Sequence, residues 1–340
     1  MTASPRPPSA AEHELVPRRE SVGSAGSARG RAADIRLRVT AAIGLAIVGA
    51  GRMGAVHLRA LADEPSVRVN AIVDPSEAAR DHAVHAVPGT AAFADLDEAL
   101  HGGGVDAVLI AAPSTLHLRL VRACADRGLP MLCEKPCGTT SAEASAAAEA
   151  ADAAGCPLQI GYWRRFVPEL GDLRARIAAG ALGRLTLVSC YQWDAEPPAP
   201  GFRGTSGGIA VDMGVHELDQ LRWLTGQELG AFARAAQPPE GDGPEGLQLL
   251  GSLSRGTAAF VSLGQRFPHG DCVWVEAFGT DGYERVPVLW GDEGEAAFHR
   301  ALRAQARAFA QRVGTGTAGD AATAQDALAA LEAAERLTAR

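Results

Sequence analysis

The chain has 340 residues with 40 acidic and 32 basic side chains, a net charge of −8. An acidic chain of this kind offers no overall basic surface for nucleic acid. Six scattered cysteines exclude a small disulfide scaffold, and the apolar stretch Ala41–Gly51 is far shorter than the roughly 18 residues of a membrane helix. The 47% hydrophobic content suits a cytoplasmic α/β protein of two domains. One further count stands out. Of the 32 basic side chains a single one, Lys135, is lysine, so 31 are arginine. An ammonium exchanges its proton and shifts its pKa far more readily than a guanidinium, which makes Lys135 a candidate for chemistry.

Residues 1–40 are rich in Ser, Ala, Pro, Gly and Arg without hydrophobic periodicity, and read as a disordered tail. From Ile43 the rhythm changes. The buried-strand run Ile43–Val48 leads through glycines into a helix from Arg52 to Asp63. Strands follow at Val67–Val73, Val105–Ala112, Met131 and Leu158–Tyr162, separated by helices at 115–127 and 141–154. Continuous apolar strands alternating with helices predict a doubly wound parallel sheet over residues 41–162. Beyond Tyr162 a helix at 168–180, a strand at Leu185–Trp193 and a helix at 211–225 precede four short strand runs between 229 and 278. Consecutive short strands predict an α+β domain over 163–340 with an open, largely antiparallel sheet. The final helices, near 295–313 and 320–338, are expected to pack back on the first domain.

Gly49-Ala-Gly51-Arg52-Met53-Gly54 lies between the first strand and the first helix, where a dinucleotide-binding turn belongs. Its glycines permit the tight turn, the approach of a pyrophosphate and close helix packing. Asp74 ends the second strand 20 residues after Gly54, placed to bind the ribose hydroxyls of NAD and to repel the extra phosphate of NADP. Pro75-Ser76 supplies no adjacent arginine for that phosphate. Lys135 stands at the C-terminal end of a predicted parallel strand, the sheet edge where open α/β folds hold ligands, with Pro113, Ser114 and His117 ending the neighbouring strand. Asp212, His216 and Asp219 are spaced to share one helix face, and two carboxylates and an imidazole on a buried helix favour a cavity lining. No cysteine or histidine spacing suggests a metal site. Arg164 and Arg165 suit either phosphate binding or a bridge at the domain junction. His57, Trp223 and Trp290 read as packing residues.

Several of these segments together resemble the glucose–fructose oxidoreductase/inositol dehydrogenase (Gfo/Idh/MocA) family. They are the GAGRMG turn with His57, Pro113–His117, Glu134-Lys135-Pro136, Gly161–Phe166, Gly180–Gly183 and Gly207–Asp219. The stretch Gln159–Gly226, with Asp194 inside it, is most similar to the inositol 2-dehydrogenase branch. The resemblance implies a Rossmann domain and a second α/β domain, with Lys135, Asp212 and His216 as catalytic residues. It also implies Asp194 and Asp219 beside the substrate, and Gly49, Gly51, Arg52, Met53, Gly54, Asp74, Pro113, Ser114, His117 and Glu134 around NAD. The expected reaction is hydride transfer from a carbinol of an inositol-like polyol to NAD by a homodimer or homotetramer. The alternatives are an NAD-dependent glycosidase or lyase working through transient oxidation, and a non-catalytic NAD-binding regulator.

Overall fold

The computed structural model describes residues 42–338 apart from positions 88, 200, 238, 241 and 242. The expected disordered tail lies outside the described residues. The first apolar runs form β1 (Ile43–Val48), β2 (Val67–Val73), β3 (Ala91–Phe93), β4 (Ala107–Ile110), β5 (Met131–Cys133) and β6 (Leu158–Ile160). They alternate with α1 (Arg52–Leu61), α2 (Glu77–Ala86), α3 (Leu96–His101), α4 (His117–Ala125) and α5 (Ser141–Ala154). The strands pair in parallel in the spatial order β6-β5-β4-β1-β2-β3. Leu45, Ile47, Val108, Leu109 and Ile110 are buried on both faces of this sheet, which is why the hydrophobicity of β1 and β4 is continuous rather than alternating. Ser76, Asp95 and Thr140 start α2, α3 and α5 by accepting hydrogen bonds from the backbone amides of Ala79, Glu98 and Glu143. Strand order reverses between β1 and β4, and the C-terminal ends of these strands open the crevice that receives ligands in this architecture.

The second half comprises α6 (Pro168–Ala178), β7 (Leu185–Trp193), two short helices α7 (Phe202–Ser206) and α8 (Gly208–Asp212), and α9 (Gly214–Thr225). The strands β8 (Leu229–Ala236), β9 (Gly246–Leu253), β10 (Ala258–Gly264), β11 (Cys272–Gly279) and β12 (Tyr283–Leu289) follow. They form a sheet ordered β12-β11-β7-β10-β9-β8, antiparallel except where β7 runs parallel to β10. Helix α9 covers one face of this sheet with Val215, Leu218 and Leu221 fully buried. The other face carries Tyr191 stacked on Trp274 at 4.3 Å, with Phe260 edge-on to Tyr191.

The chain then returns to the first sheet. Helix α10 (Gly294–Thr315) lies on α1, burying Ala306, Phe309, Ala310 and Val313 at helical spacing beside Leu58 and Leu61. Strand β13 (Ala322–Thr323) pairs antiparallel with β6 as a seventh strand, and α11 (Ala324–Thr338) packs on α5.

Two expectations need correction. The helix expected over 211–225 is two helices, broken at Met213. In an unbroken helix the Asp212 carbonyl would accept from the His216 amide. Here that carbonyl accepts from the Lys135 ammonium at 2.7 Å, and the His216 amide donates to Met213 instead. Trp290, expected in the core, is 47% exposed at the end of the edge strand β12, with the Arg285 guanidinium over its ring.

Candidate active site

The turn after β1 has the geometry a dinucleotide needs. Gly49 has φ of +101°, and a side chain there would lie 2.6 Å from the Ala112 backbone at the end of β4. A Cβ on Gly54 would sit 1.8 Å from the Gly49 carbonyl, so only glycine lets α1 start this close to the turn. Gly51, by contrast, would meet nothing within 4 Å and faces open space. A cleft of about 450 Å³ begins there. Of the ten residues expected around the cofactor, nine line this cleft, and the remaining one, Gly54, packs behind the turn. Asp74 is fixed at the cleft by the amides of Ala50 (2.8 Å) and Ser76 (2.9 Å). An arginine does reach this corner: Arg80, one turn into α2, donates to the carbonyls of Asp74 and Pro75 and is tied to the backbone there.

Opposite the glycine turn the cleft is closed by Phe202, Thr205 and Ser206 of α7, none of which was expected. Glycines 201 and 207 bracket this helix at φ of +81° and +82°. A five-residue helix without an apolar period gives no readable signal in the sequence.

Lys135 follows β5 and crosses from the first sheet to the second half of the chain. Its Nζ donates to the Asp212 carbonyl at 2.7 Å and to Asp212 Oδ1 at 3.2 Å. The backbone around it is held by two buried histidines. His57 Nε2 lies 2.6 Å from Glu134 Oε1, and Glu134 Oε2 accepts from the Lys135 amide at 3.1 Å. His117 contacts the carbonyls of Pro136 and Ala112, each at 2.8 Å. Burial pushes the His117 pKa down while both carbonyls pull it up. The reading of His57 as a packing residue missed its partner because the two lie 77 residues apart in sequence.

His216 is buried with its ring edge-on to Tyr162 (5.7 Å) and Trp163 (6.3 Å). Burial pushes its pKa well below the ordinary value of 6.5, and the charges of Arg164 and Lys135 lower it further. The ring is therefore neutral near pH 7. Its Nδ1 has no hydrogen-bond partner, so aromatic packing rather than a carboxylate orients it. Asp194, like His216, is not among the residues that line the cleft. Burial raises its pKa, and it feels the charges of Asp212 and Lys135. A relay supports it from behind: Arg164 pairs with Glu217 and donates to Gln192 at 2.6 Å, and Gln192 donates to Asp194 at 3.1 Å.

Asp219, expected beside the substrate, is placed elsewhere. Both of its oxygens accept from Arg165, at 2.9 and 2.5 Å, and its side chain is 3% exposed. Asp326 joins the same guanidinium at 3.2 Å and links it to Arg222. The break at Met213 takes Asp212 off the helix face that the i, i+4, i+7 spacing implied, and Arg165 occupies Asp219 completely. Arg164 and Arg165 thus lie buried on carboxylates of α9, with their guanidiniums committed to the junction. Among the described residues no His, Cys, Asp or Glu cluster could hold a metal ion.

Residues 43–162 match a family model described as an oxidoreductase family with an NAD-binding Rossmann fold, and residues 171–284 match the GFO/IDH/MocA C-terminal domain. The chain is 50% identical over 300 residues to the rhizopine catabolism protein MocA of Rhizobium meliloti, covering 86% of this chain and 93% of that one. The chain belongs to the Gfo/Idh/MocA oxidoreductase family. It is also 34% identical over 317 residues to the myo-inositol dehydrogenase Hyg17 of Streptomyces leeuwenhoekii, covering 86% of this chain and 96% of that one. Among solved structures, apo scyllo-inositol dehydrogenase from Lactobacillus casei superposes with a TM-score of 0.77 at 26% identity, over 87% and 95% of the two chains. The same enzyme with bound NAD(H) and scyllo-inositol shares the fold at a TM-score of 0.76 and 24% identity, over 87% and 96%. The protein is thus an oxidoreductase of an NAD-binding Rossmann family.

Proposed function

We propose that the substrate is an inositol or a closely related cyclitol, oxidised at one ring carbinol to the ketone. The observation that carries this reading is the junction of Lys135 and Asp212 in the NAD cleft, with a neutral buried imidazole, His216, four residues further on. When bound, NAD accepts a hydride at its nicotinamide ring. The rest of the chemistry falls to the chain. The Lys135 ammonium donates a hydrogen bond to the reacting oxygen and stabilises negative charge as its proton leaves. His216, neutral at working pH, takes up that proton. Asp212 holds the ammonium, and Asp212 and Asp194 offer acceptors to neighbouring hydroxyls, as a ring of adjacent carbinols requires. The names of the relatives, inositol dehydrogenases and a rhizopine catabolism protein, support a polyhydroxylated ring.

The test is NADH formation by the purified protein with NAD and a panel of inositol stereoisomers, rhizopine and free hexoses. NADH accumulation with a cyclitol is the expected result. A protein that binds NAD but reduces it with no member of the panel overturns the assignment. NADP in place of NAD is expected to work at least about tenfold less well, because the Asp74 carboxylate would face its extra phosphate.

The uncovered face of the second sheet supports a homodimer or homotetramer in the cytoplasm. Leu250 on β9, Tyr283 on β12 and Trp290 beyond it are 59%, 53% and 47% exposed, around the Tyr191–Trp274 stack. An apolar face of this kind is covered most simply by its own symmetry mate. All six cysteines are free and buried, as a reducing compartment allows. Light scattering at micromolar concentration should give at least twice the chain mass, and a monomer mass overturns this assembly.

A further inference from the structure

We infer that His57 is a positioning residue of the reaction, acting through Glu134 on the one lysine of the chain. The inference deepens the functional reading above and rests on it for the turnover arm of the test. It begins from a line of contacts. His57 sits on the second turn of α1, the helix that the dinucleotide turn opens. Its Nε2 meets Glu134 Oε1 at 2.6 Å, Glu134 Oε2 accepts from the Lys135 amide at 3.1 Å, and the Lys135 ammonium reaches Asp212. Each link is a hydrogen bond, and the first is buried at both ends.

The surroundings are built to admit this pair. A Cβ at Gly161 would lie 3.0 Å from the Glu134 carboxyl group, so the end of β6 is left bare where the carboxylate turns inward. His57 Nδ1 is buried with no hydrogen-bond partner. A ring with the proton on Nε2 donates it to Glu134 and leaves only a lone pair unpaired at Nδ1, the cheaper of the two orphans. The charge on Glu134 is thereby retained, since the His57 hydrogen bond and the Lys135 charge hold its pKa down against burial. Simple packing does not require any of this. An apolar side chain at position 57 would fill the same space but leave the buried Glu134 carboxylate without this partner.

The consequence is mechanical. The carboxylate fixes the backbone of Lys135 relative to α1, so the helix under the cofactor and the ammonium over the substrate move as one body. Without His57 the Glu134 side chain loses one of its two anchors. The lysine backbone then loosens, and the ammonium leaves Asp212 for part of the time.

Because Lys135 is the sole lysine, its position can be read without any substrate. An amine-reactive acylating reagent modifies Lys135 and the N-terminal amine only, and peptide mass spectrometry separates the two. His57→Ala should speed acylation of Lys135 several-fold, leave that of the N-terminus unchanged, and lower kcat about tenfold or more with NAD affinity nearly intact. His57→Gln, whose amide can still donate to Glu134, should restore both readouts most of the way. Should His57→Ala prove too unstable to purify, His57→Gln compared with His57→Leu carries the same test. The double variant His57→Ala with Glu134→Gln should be little worse than the worse single one. Unchanged Lys135 acylation in His57→Ala overturns the inference, as does full additivity in the double variant. If the wild type oxidises no cyclitol, the substrate assignment fails while the acylation rates still decide the role of His57.

Discussion

Two cation–carboxylate pairs sit close together at the boundary between the two sheets, and they do different things. Lys135 and Asp212 meet at 3.2 Å through one oxygen, with side chains 22% and 23% exposed. Arg165 and Asp219 meet through two parallel hydrogen bonds, with side chains 7% and 3% exposed. The arginine pair uses the whole fork and both oxygens, which leaves no group free for a ligand. The lysine pair leaves Asp212 Oδ2 and one ammonium proton outside its hydrogen bonds, on two residues that line the cleft. Denticity and exposure, rather than residue class, separate the structural pair from the one proposed to work on substrate. Both Asp212 and Asp219 look equally eligible on a helical wheel.

This contrast predicts opposite outcomes when each pair is broken. The largest effect should come from Arg165→Ala, which strips the buried Asp219 of its main partner and the half-buried Asp326 of one of its two arginines. Burial already pushes the Asp219 pKa up against the Arg165 charge, and removing that charge raises it further. Breaking a buried pair costs about 3–5 kcal/mol. Denaturant unfolding should show that loss, while the KM for the polyol stays near wild type in whatever fraction remains folded. The milder Asp219→Asn should unfold earlier yet turn over normally. A raised polyol KM in Asp219→Asn without loss of stability would return this residue to the substrate and break the comparison.

The working pair should behave in the reverse manner. Lys135→Arg keeps the charge but substitutes a planar group that cannot exchange its proton near neutral pH. A partly exposed pair contributes only about 0–1 kcal/mol to stability, so unfolding should scarcely change. Turnover should fall about 100-fold or more, equivalent to about 2.7 kcal/mol of transition-state stabilisation, with NAD affinity preserved. The checks are kcat, NAD titration by fluorescence and a denaturant curve on one preparation. Wild-type turnover in Lys135→Arg would reduce both pairs to structural ones.

What the sequence made legible follows from the range over which the physics acts. The glycine turn, Asp74 and the strand ends at Pro113 and Lys135 are set by local geometry, and contiguous residues report local geometry. The parallel sheet was readable for the same reason, since burial on both faces writes continuous apolar runs into β1 and β4. Pairings at long range leave no such trace. Arg165 meets Asp219 across 54 residues and His57 meets Glu134 across 77, and no periodicity encodes either. The break at Met213 belongs to the same class. A helix-compatible sequence is interrupted at the point where a lysine 77 residues upstream meets one of its carbonyls. Strand β13, two residues long, is visible only through its pairing with β6.

His216 lies between the two pairs, and its titration tests the boundary with the smallest of the expected effects. An exposed histidine that must be neutral to accept a proton would make oxidation fall away below about pH 6.5. Here burial, then the charge of Arg164, then that of Lys135 lower the pKa. Each of these disfavours the imidazolium, so the base stays neutral as the solution is acidified through the ordinary histidine range. The acid limb of kcat/KM should therefore lie below pH 6.5, with a flat profile from neutrality down to that point. Removing a positive neighbour should move the limb back toward higher pH. Arg164→Met alone would strand Glu217, so the informative variant pairs it with Glu217→Gln. Burial is untouched in that double variant, so the return should be partial. Lys135 cannot be used for this purpose, because the proposed reaction has it act on the substrate directly. A limb that does not move in the double variant would mean that burial and the Lys135 charge set the His216 pKa and that Arg164 serves only the fold. A limb already at or above pH 6.5 in the wild type would overturn the lowered pKa of His216, and a limb that persists in His216→Ala would remove His216 as the proton acceptor.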